Sequence, residues 1–266
     1  MKIDMKLLKE EQLEILTLFD EYCKKNQIQY YLAYGTLLGA VRHKGYIPWD
    51  DDIDVMMFRK DYDFLVDHNI IAEGIQFTSL ENDPKFPYPF AKIINTKTIL
   101  REKADFNYPD FGINIDVFPL DYFPNEYSKR KRKLRRIKRL KFICDIKAIS
   151  YSKDRSLFKN IIVNILKWML VFVPRQTIMK KIVKLSRKDK LSNYCGINVW
   201  GYGEKEVFKC STFDGTTTLE FEGKQYQSPE KYHEILTQLY GDYMTLPPEE
   251  KRVSHHEFDA YYKGEE

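Results

Sequence analysis

Four aspartates fall within five residues, Asp50, Asp51, Asp52 and Asp54, directly after Pro48 and Trp49 and against an apolar run that begins at Ile53. If Ile53 to Phe58 is a strand, its two-residue period carries Asp50, Asp52 and Asp54 toward one face and Ile53 and Val55 toward the other. Three like charges on one face repel and call for a cation. Carboxylate oxygens suit a hard divalent ion, Mg²⁺ or Mn²⁺, which keeps part of its water shell and binds phosphates. Just upstream, Gly35 and Thr36 precede a short helical run to His43. Backbone N–H groups at a helix start favour phosphate oxygens, because those donors are unsatisfied and the helix dipole is positive there. An aspartate cluster after proline is also a common solvated turn, and a Gly-Thr pair alone says little. Together, the two halves serve different parts of one substrate and point to metal-assisted phosphoryl transfer.

A second run, Gly112 to Phe118, alternates Ile113, Ile115 and Val117 with Asn114 and Asp116. A carboxylate on an otherwise apolar central strand is costly unless it is partnered. A neighbouring strand bearing Asp52 and Asp54, with metal between, would satisfy all three; an ion pair with Lys or Arg would serve Asp116 as well.

The elements that must position these groups show in the hydrophobic periodicity. Residues 6–26 carry Leu8, Ile15, Leu16, Phe19, Tyr22 and Cys23 at helical spacing, and Ile28 to Tyr34 reads as a strand. Arg59 to His68 is a helix, and Ile75 to Leu80, Phe90 to Ile94 and Thr98 to Arg101 are strands. Thr216 to Phe221 and Lys224 to Gln227 flank Glu222 and Gly223 as a hairpin, and Pro229 to Tyr240 is a helix stopped by Gly241. Between these parts the character changes. Residues 129–141 hold ten Lys and Arg, and Ile161 to Val173 is almost wholly apolar. That run is shorter than the roughly twenty residues a spanning helix needs. It reads either as a buried core helix or as one lying in the plane of a membrane beside the basic helix. Residues 126–190 are thus expected to form a helical insertion between a catalytic core, 1–125, and a C-terminal part, 191–266, that completes the catalytic domain.

A net charge of +4 and a pI near 8.6 are mild, so no nucleic acid partner is expected. Cys23, Cys144, Cys195 and Cys210 are scattered, as in a reduced protein without a zinc site or disulfide frame. The first residues lead into a charged amphipathic helix with no apolar signal segment, so a cytoplasmic location is expected, at the inner face of the membrane if the insertion docks there.

The stretch G-T-L-L-G-A-V-R-H-K-G-Y-I-P-W-D-D-D-I-D-V, Gly35 to Val55, resembles the signature of the LicD family of phosphocholine transferases, related to the fukutin group and to the nucleotidyltransferase superfamily. Gly112 to Asp121 fits the same family, as does the tail Tyr240 to Met244 and Leu246 to Pro248 with Arg252 and His255. The resemblance implies an α+β fold, a nucleotidyltransferase-like core with a small mixed sheet and the helical insertion. It implies transfer of phosphocholine or a similar phospho-alcohol from CDP-choline or another CDP-alcohol to a hydroxyl of a cell-surface glycan or lipid-linked precursor, such as lipopolysaccharide or a teichoic acid of the cell wall, with release of CMP.

In that scheme Asp50, Asp52 and Asp54 hold Mg²⁺ or Mn²⁺ against the diphosphate, and Asp116 completes the metal shell or takes the acceptor proton. Gly35 and Thr36 hold phosphate oxygens, Arg42 and Lys92 neutralise the leaving nucleotide, and Arg252 and His255 belong to the substrate side without an assigned role. Trp49, Trp200 and Tyr202 are candidates for holding a quaternary ammonium. Two rivals share these residues: a nucleotidylyltransferase that releases pyrophosphate, and a non-catalytic module that holds an anionic polymer on its basic helix.

Overall fold

The structure, a computed structural model, describes residues 2–102, 108, 111–148, 156–199, 203–252 and 258–264. In chain order the elements are β1 (Lys2–Ile3), α1 (Met5–Asn26), β2 (Tyr31–Leu32), α2 (Tyr34–Arg42), β3 (Asp54–Phe58), α3 (Arg59–Asp67), β4 (Ile70–Ala72), β5 (Ile75–Thr78), β6 (Ala91–Asn95), β7 (Thr98–Glu102) and β8 (Asn114–Phe123). There follow α4 (Tyr127–Ala148), α5 (Leu157–Met169), α6 (Arg175–Ser186), β9 (Tyr194–Gly196), β10 (Phe208–Lys209), β11 (Thr216–Phe221), β12 (Lys224–Pro229), α7 (Tyr232–Tyr240) and β13 (Phe258–Tyr262). The architecture is α+β with a mixed sheet, as the sequence implies.

Strand β8 organises the sheet. Its near-continuous apolar composition suits burial on both faces, and three strands pair with it. β3 runs parallel to it along one side, β6 antiparallel along the other, and β9 pairs antiparallel with its last residues, Asp121 to Phe123. β5 and β4 extend the sheet past β6, β2 pairs with β3, and β10 pairs with β9. β9 and β10 come from beyond the helical segment, so the C-terminal part contributes strands to the sheet that carries the aspartates. Helix α1 is capped by Asp4, whose carboxylate accepts from the Leu7 N–H at 2.8 Å. It buries Leu8, Ile15, Leu16, Phe19 and Cys23 against the sheet. The hairpin of β11 and β12 turns at Glu222 and Gly223, both in the left-handed region (φ 48° and 76°). That pair of positive φ values matches the twist of the flanking strands.

Several sequence-predicted elements shift at their ends. Of Ile28 to Tyr34 only Tyr31–Leu32 pairs as strand, because Ala33 is already the N-cap of α2. β8 runs to Phe123, five residues past Phe118, because β9 supplies a partner that the local pattern does not reveal. β1, β4, β9, β10 and β13 have no counterpart in the sequence reading.

The helical segment is tied down by buried charge. Lys133, one of the ten basic residues, is 8% exposed, and its ammonium donates to the carbonyls of Tyr122 and Ser186 and to Asp189 at 2.9–3.0 Å. Arg187, after α6, pairs with Asp63 and Glu81. Glu81 also meets Arg59, which grips the buried Asp121 with two bonds of 2.7 and 2.8 Å. Helix α5 is not a buried core helix: from Phe158 to Val173 most apolar side chains are exposed. Among the described residues, no helix is long and apolar enough to cross a membrane.

Candidate active site

Strand register assembles the centre. Asp54 lies opposite Asp116 across β3 and β8, and Asp116 lies opposite Lys92 across β8 and β6. Directly opposed residues share a face of the sheet, so carboxylate, carboxylate and ammonium form one row over three strands. Lys92 Nζ donates to Asp116 Oδ1 at 2.5 Å and to Asn114 Oδ1 at 2.9 Å. The rings of Tyr88, Phe90 and Phe111, with centroids 5.0, 6.0 and 5.9 Å from that ammonium, add cation–π attraction. Lys92 therefore sits beneath the site, buried against Asp116.

Asp54 is 8% exposed. Its carboxyl is pushed well above the usual carboxylate range, first by burial and then by Asp52, Asp116 and Asp50, with Lys92 opposing. Asp50, Asp51 and Asp52 each bring a carboxylate oxygen within 4.8 Å of the other two. Here the two-residue period fails. β3 begins only at Asp54, and residues 50–52 lie outside any strand, so Asp51, buried and outside the face of Asp50, Asp52 and Asp54, still brings an oxygen to its neighbours. This oxygen-only set beside a buried carboxyl fits a hard divalent cation, whose charge would relieve the mutual repulsion.

Two small residues join α2 to this centre. The Thr36 hydroxyl accepts the Asp54 backbone N–H at 2.8 Å and is buried, so it locks the helix start to the strand start. A Cβ on Gly35 would lie 2.3 Å from Asp50 Oδ2: the carboxylate rests against the bare backbone. Gly35→Ala is therefore expected to displace Asp50 and lower kcat by about a hundredfold, the cost of roughly 1 Å of misplacement. Melting should move by less than about 5 °C, because the carboxylate can shift without disturbing the core. Unchanged kcat would show that Asp50 has no part in the reaction.

A second group gathers beside it from distant parts of the chain. Arg42 Nη1 donates to the Tyr243 carbonyl at 2.8 Å and Nε to His43 at 2.9 Å. The Arg252 guanidinium lies 5.7 Å from the centre of the Trp49 ring and donates to the Pro247 carbonyl. Arg42 has its pKa lowered by burial and by Arg252, the mark of two cations held near each other. Such a pair suits an anionic group with several oxygens. His43 packs edge-on to Trp49, and its pKa is lowered by burial and by Arg42. His255, Trp200 and Tyr202 lie outside the described residues. Sequence reasoning missed Asn114, although it shares a strand face with Asp116, and it missed Tyr34, whose phenol donates to the Glu206 carboxylate. Glu206 lies 172 residues away, and nothing local marks it.

Residues 27–130 match the family model described as LicD/FKTN/FKRP, nucleotidyltransferase domain. The lipopolysaccharide cholinephosphotransferase LicD of Haemophilus influenzae is 36% identical over 266 residues, 96% of this chain and 97% of that one. The chain belongs to the LicD family. Uncharacterized proteins of Rickettsia prowazekii and Rickettsia typhi are each 54% identical over 41 residues, 15% of this chain and 15% and 13% of theirs. For this LicD-family protein the matched domain holds both carboxylate groups, Lys92, Arg42 and Trp49. Arg252 and Tyr243 come from beyond it.

Proposed function

We propose that this LicD-family protein transfers phosphocholine, or a similar phospho-alcohol, from a CDP-linked donor to a hydroxyl of a cell-surface glycan or lipid-linked precursor, of the lipopolysaccharide or teichoic-acid type. The observation that carries the reading is the row of Asp54, Asp116 and Lys92 beside the Asp50, Asp51 and Asp52 cluster. Full-length similarity to a protein named a lipopolysaccharide cholinephosphotransferase supports the choice of group and acceptor. Asp50, Asp52 and Asp54, with Asp51, would hold Mg²⁺ or Mn²⁺, and Asp116 borders the same site. When bound, the ion supplies positive charge to the phosphate oxygens.

The chain's own groups do the rest. Asp116, held by Lys92, accepts the proton of the acceptor hydroxyl in this reading. The acceptor oxygen then bonds to the phosphorus that bears the alcohol, the phosphoanhydride P–O bond breaks, and CMP departs. Arg42 and Arg252 bind the nucleotide phosphate, Gly35 admits the Asp50 carboxylate, and Thr36 fixes the helix start. Trp49, with Arg252 near its ring, borders the substrate side and would meet a quaternary ammonium through its face. The setting is cytoplasmic, with peripheral contact to the membrane that carries the acceptor.

Incubation of the protein with CDP-choline, CDP-ribitol and CDP-glycerol plus Mg²⁺ should yield CMP from one of them, and chelation with EDTA should stop it. Pyrophosphate from CTP with no CMP from any CDP-alcohol would transfer the site to the nucleotidylyltransferase reading. No product from either would favour a polymer-binding module.

A further inference from the structure

Residues 127–190 carry 22 of the chain's 43 Lys and Arg but 3 of its 39 Asp and Glu, a net charge of +19 against −15 for all the rest. Within this segment α5 turns its apolar side outward. Phe158, Ile161, Ile162, Ile165, Trp168 and Met169 recur at helical spacing along one side and are 40–77% exposed. Asn160, on the opposite side, is buried at 4%. This is the reverse of a surface helix that shields a core. The turn after α5 adds Phe172, 92% exposed, and Lys147 of α4 anchors that turn through the Leu170 carbonyl at 2.7 Å. A contiguous apolar patch of this kind on a protein surface marks an interaction site.

The charge decides the occupant. A second copy would cover the stripe but would bring two +19 segments together, which repulsion opposes. A dissolved polyanion would neutralise the charge and leave the stripe in water. An anionic lipid surface satisfies both, taking the apolar side chains below its head groups and attracting the exposed Arg132, Arg135, Arg136, Arg139, Lys180 and Lys184 of the same segment. Such a surface also repels the −15 remainder, so the insertion approaches first. We propose that α5 and the turn after it dock this protein peripherally on an anionic bilayer, with α5 lying in the interface. The proposal rests on the membrane contact named above and is independent of which group is transferred.

The test is co-sedimentation of the full-length protein with phosphatidylglycerol-containing and with pure phosphatidylcholine vesicles. The wild type should pellet with the anionic vesicles and release as salt rises, since screening shortens the reach of charge to about 3 Å at 1 M. Changing Arg132, Arg135, Arg136 and Arg139 together to Gln should weaken binding by about 10²- to 10³-fold. Trp168→Ser with Phe172→Ser should weaken it by about tenfold or more. Bromine-labelled acyl chains should quench tryptophan fluorescence in the wild type, and quenching should vanish in the serine variant, which keeps Trp49 and Trp200. CMP release from a CDP-alcohol with a water-soluble acceptor should be the same in all three proteins, which separates a failure of docking from a failure of the transferase reading. Equal binding to both vesicle types would overturn the proposal. So would variants that bind as the wild type does, a dimer that the serine variant dissolves, or capture by heparin or RNA without capture by vesicles.

Discussion

Asp52→Asn, Asp54→Asn and Asp116→Asn should each lower turnover by about a thousandfold or more, but they should part company in stability. The common loss follows from charge stabilisation worth several kcal/mol at the phosphate when a metal-binding carboxylate is removed. The difference follows from partners. Asp54 is buried among Asp52, Asp116 and Asp50, so its neutral isostere relieves desolvation and repulsion, and the metal-free Asp54→Asn protein should melt at or above the wild type. Asp116 instead holds the Lys92 ammonium at 2.5 Å, and Asp116→Asn takes the carboxylate from a buried cation, so that variant should melt lower. The same reasoning fixes a pH dependence. Because the folded-state pKa of Asp54 lies above its unfolded value, its favourable contribution is full at acid pH and is lost as pH rises through the folded pKa. Without metal, the wild type should therefore lose melting temperature relative to Asp54→Asn as pH is raised from acid toward neutral. Mg²⁺ should restore more to the wild type than to the variant. Full turnover in any two of the three variants would remove the carboxylates from the reaction.

How much of this was legible in the sequence depended on distance along the chain. The Gly35-Thr36 turn, the helix after it and the Asp52 to Asp54 approach lie within twenty residues, and local periodicity with one motif suffices to place them. Asp116 could be read as a functional carboxylate because it interrupts an apolar strand. Its partner could not, since Lys92 reaches it only through the antiparallel register of β6 on β8. Arg252 stands far from Arg42 and Trp49 in the sequence, and their meeting rests on the 3-10 turn Glu249–Lys251 folding back to Trp49. Asp51 is a case of another kind. A strand period carried back through residues 50–52 leaves Asp51 out, but the ladder with β8 ends at Ile53, whose carbonyl accepts the Asp116 N–H, and the residues before it lie outside any strand. Helix α5 shows the limit most plainly, because its composition is that of a core helix, and only the packing reveals which side faces out.

Lys92→Met tests whether the three-strand row acts as one unit. Methionine keeps the length and apolar contacts of the lysine stem among Tyr88, Phe90 and Phe111 but removes the ammonium. Asp116 and Asp54 then oppose each other without the Lys92 ammonium at the end of the row. Breaking a buried pair by removing one partner costs about 3–5 kcal/mol, and the 18% exposure of the Asp116 side chain argues for the lower end. For a chain of this length that is a fall in melting temperature of about 10 °C in metal-free buffer. Adding Asp116→Asn to the same protein should recover a good part of the loss, with a coupling of about 1–3 kcal/mol, since the second change removes the charge whose lysine partner the first deleted. Mg²⁺ should raise the melting temperature of the Lys92→Met protein more than that of the wild type, because a cation at the aspartates replaces part of the missing charge. Activity should fall even at saturating Mg²⁺, for Asp116 loses the donor that aims its second oxygen. Thermal melts of the two single variants and the double, with and without Mg²⁺, decide it. Additive effects would mean that Lys92 stabilises the strand without governing Asp116, and the charge balance of the site would then rest on the aspartates and their metal alone.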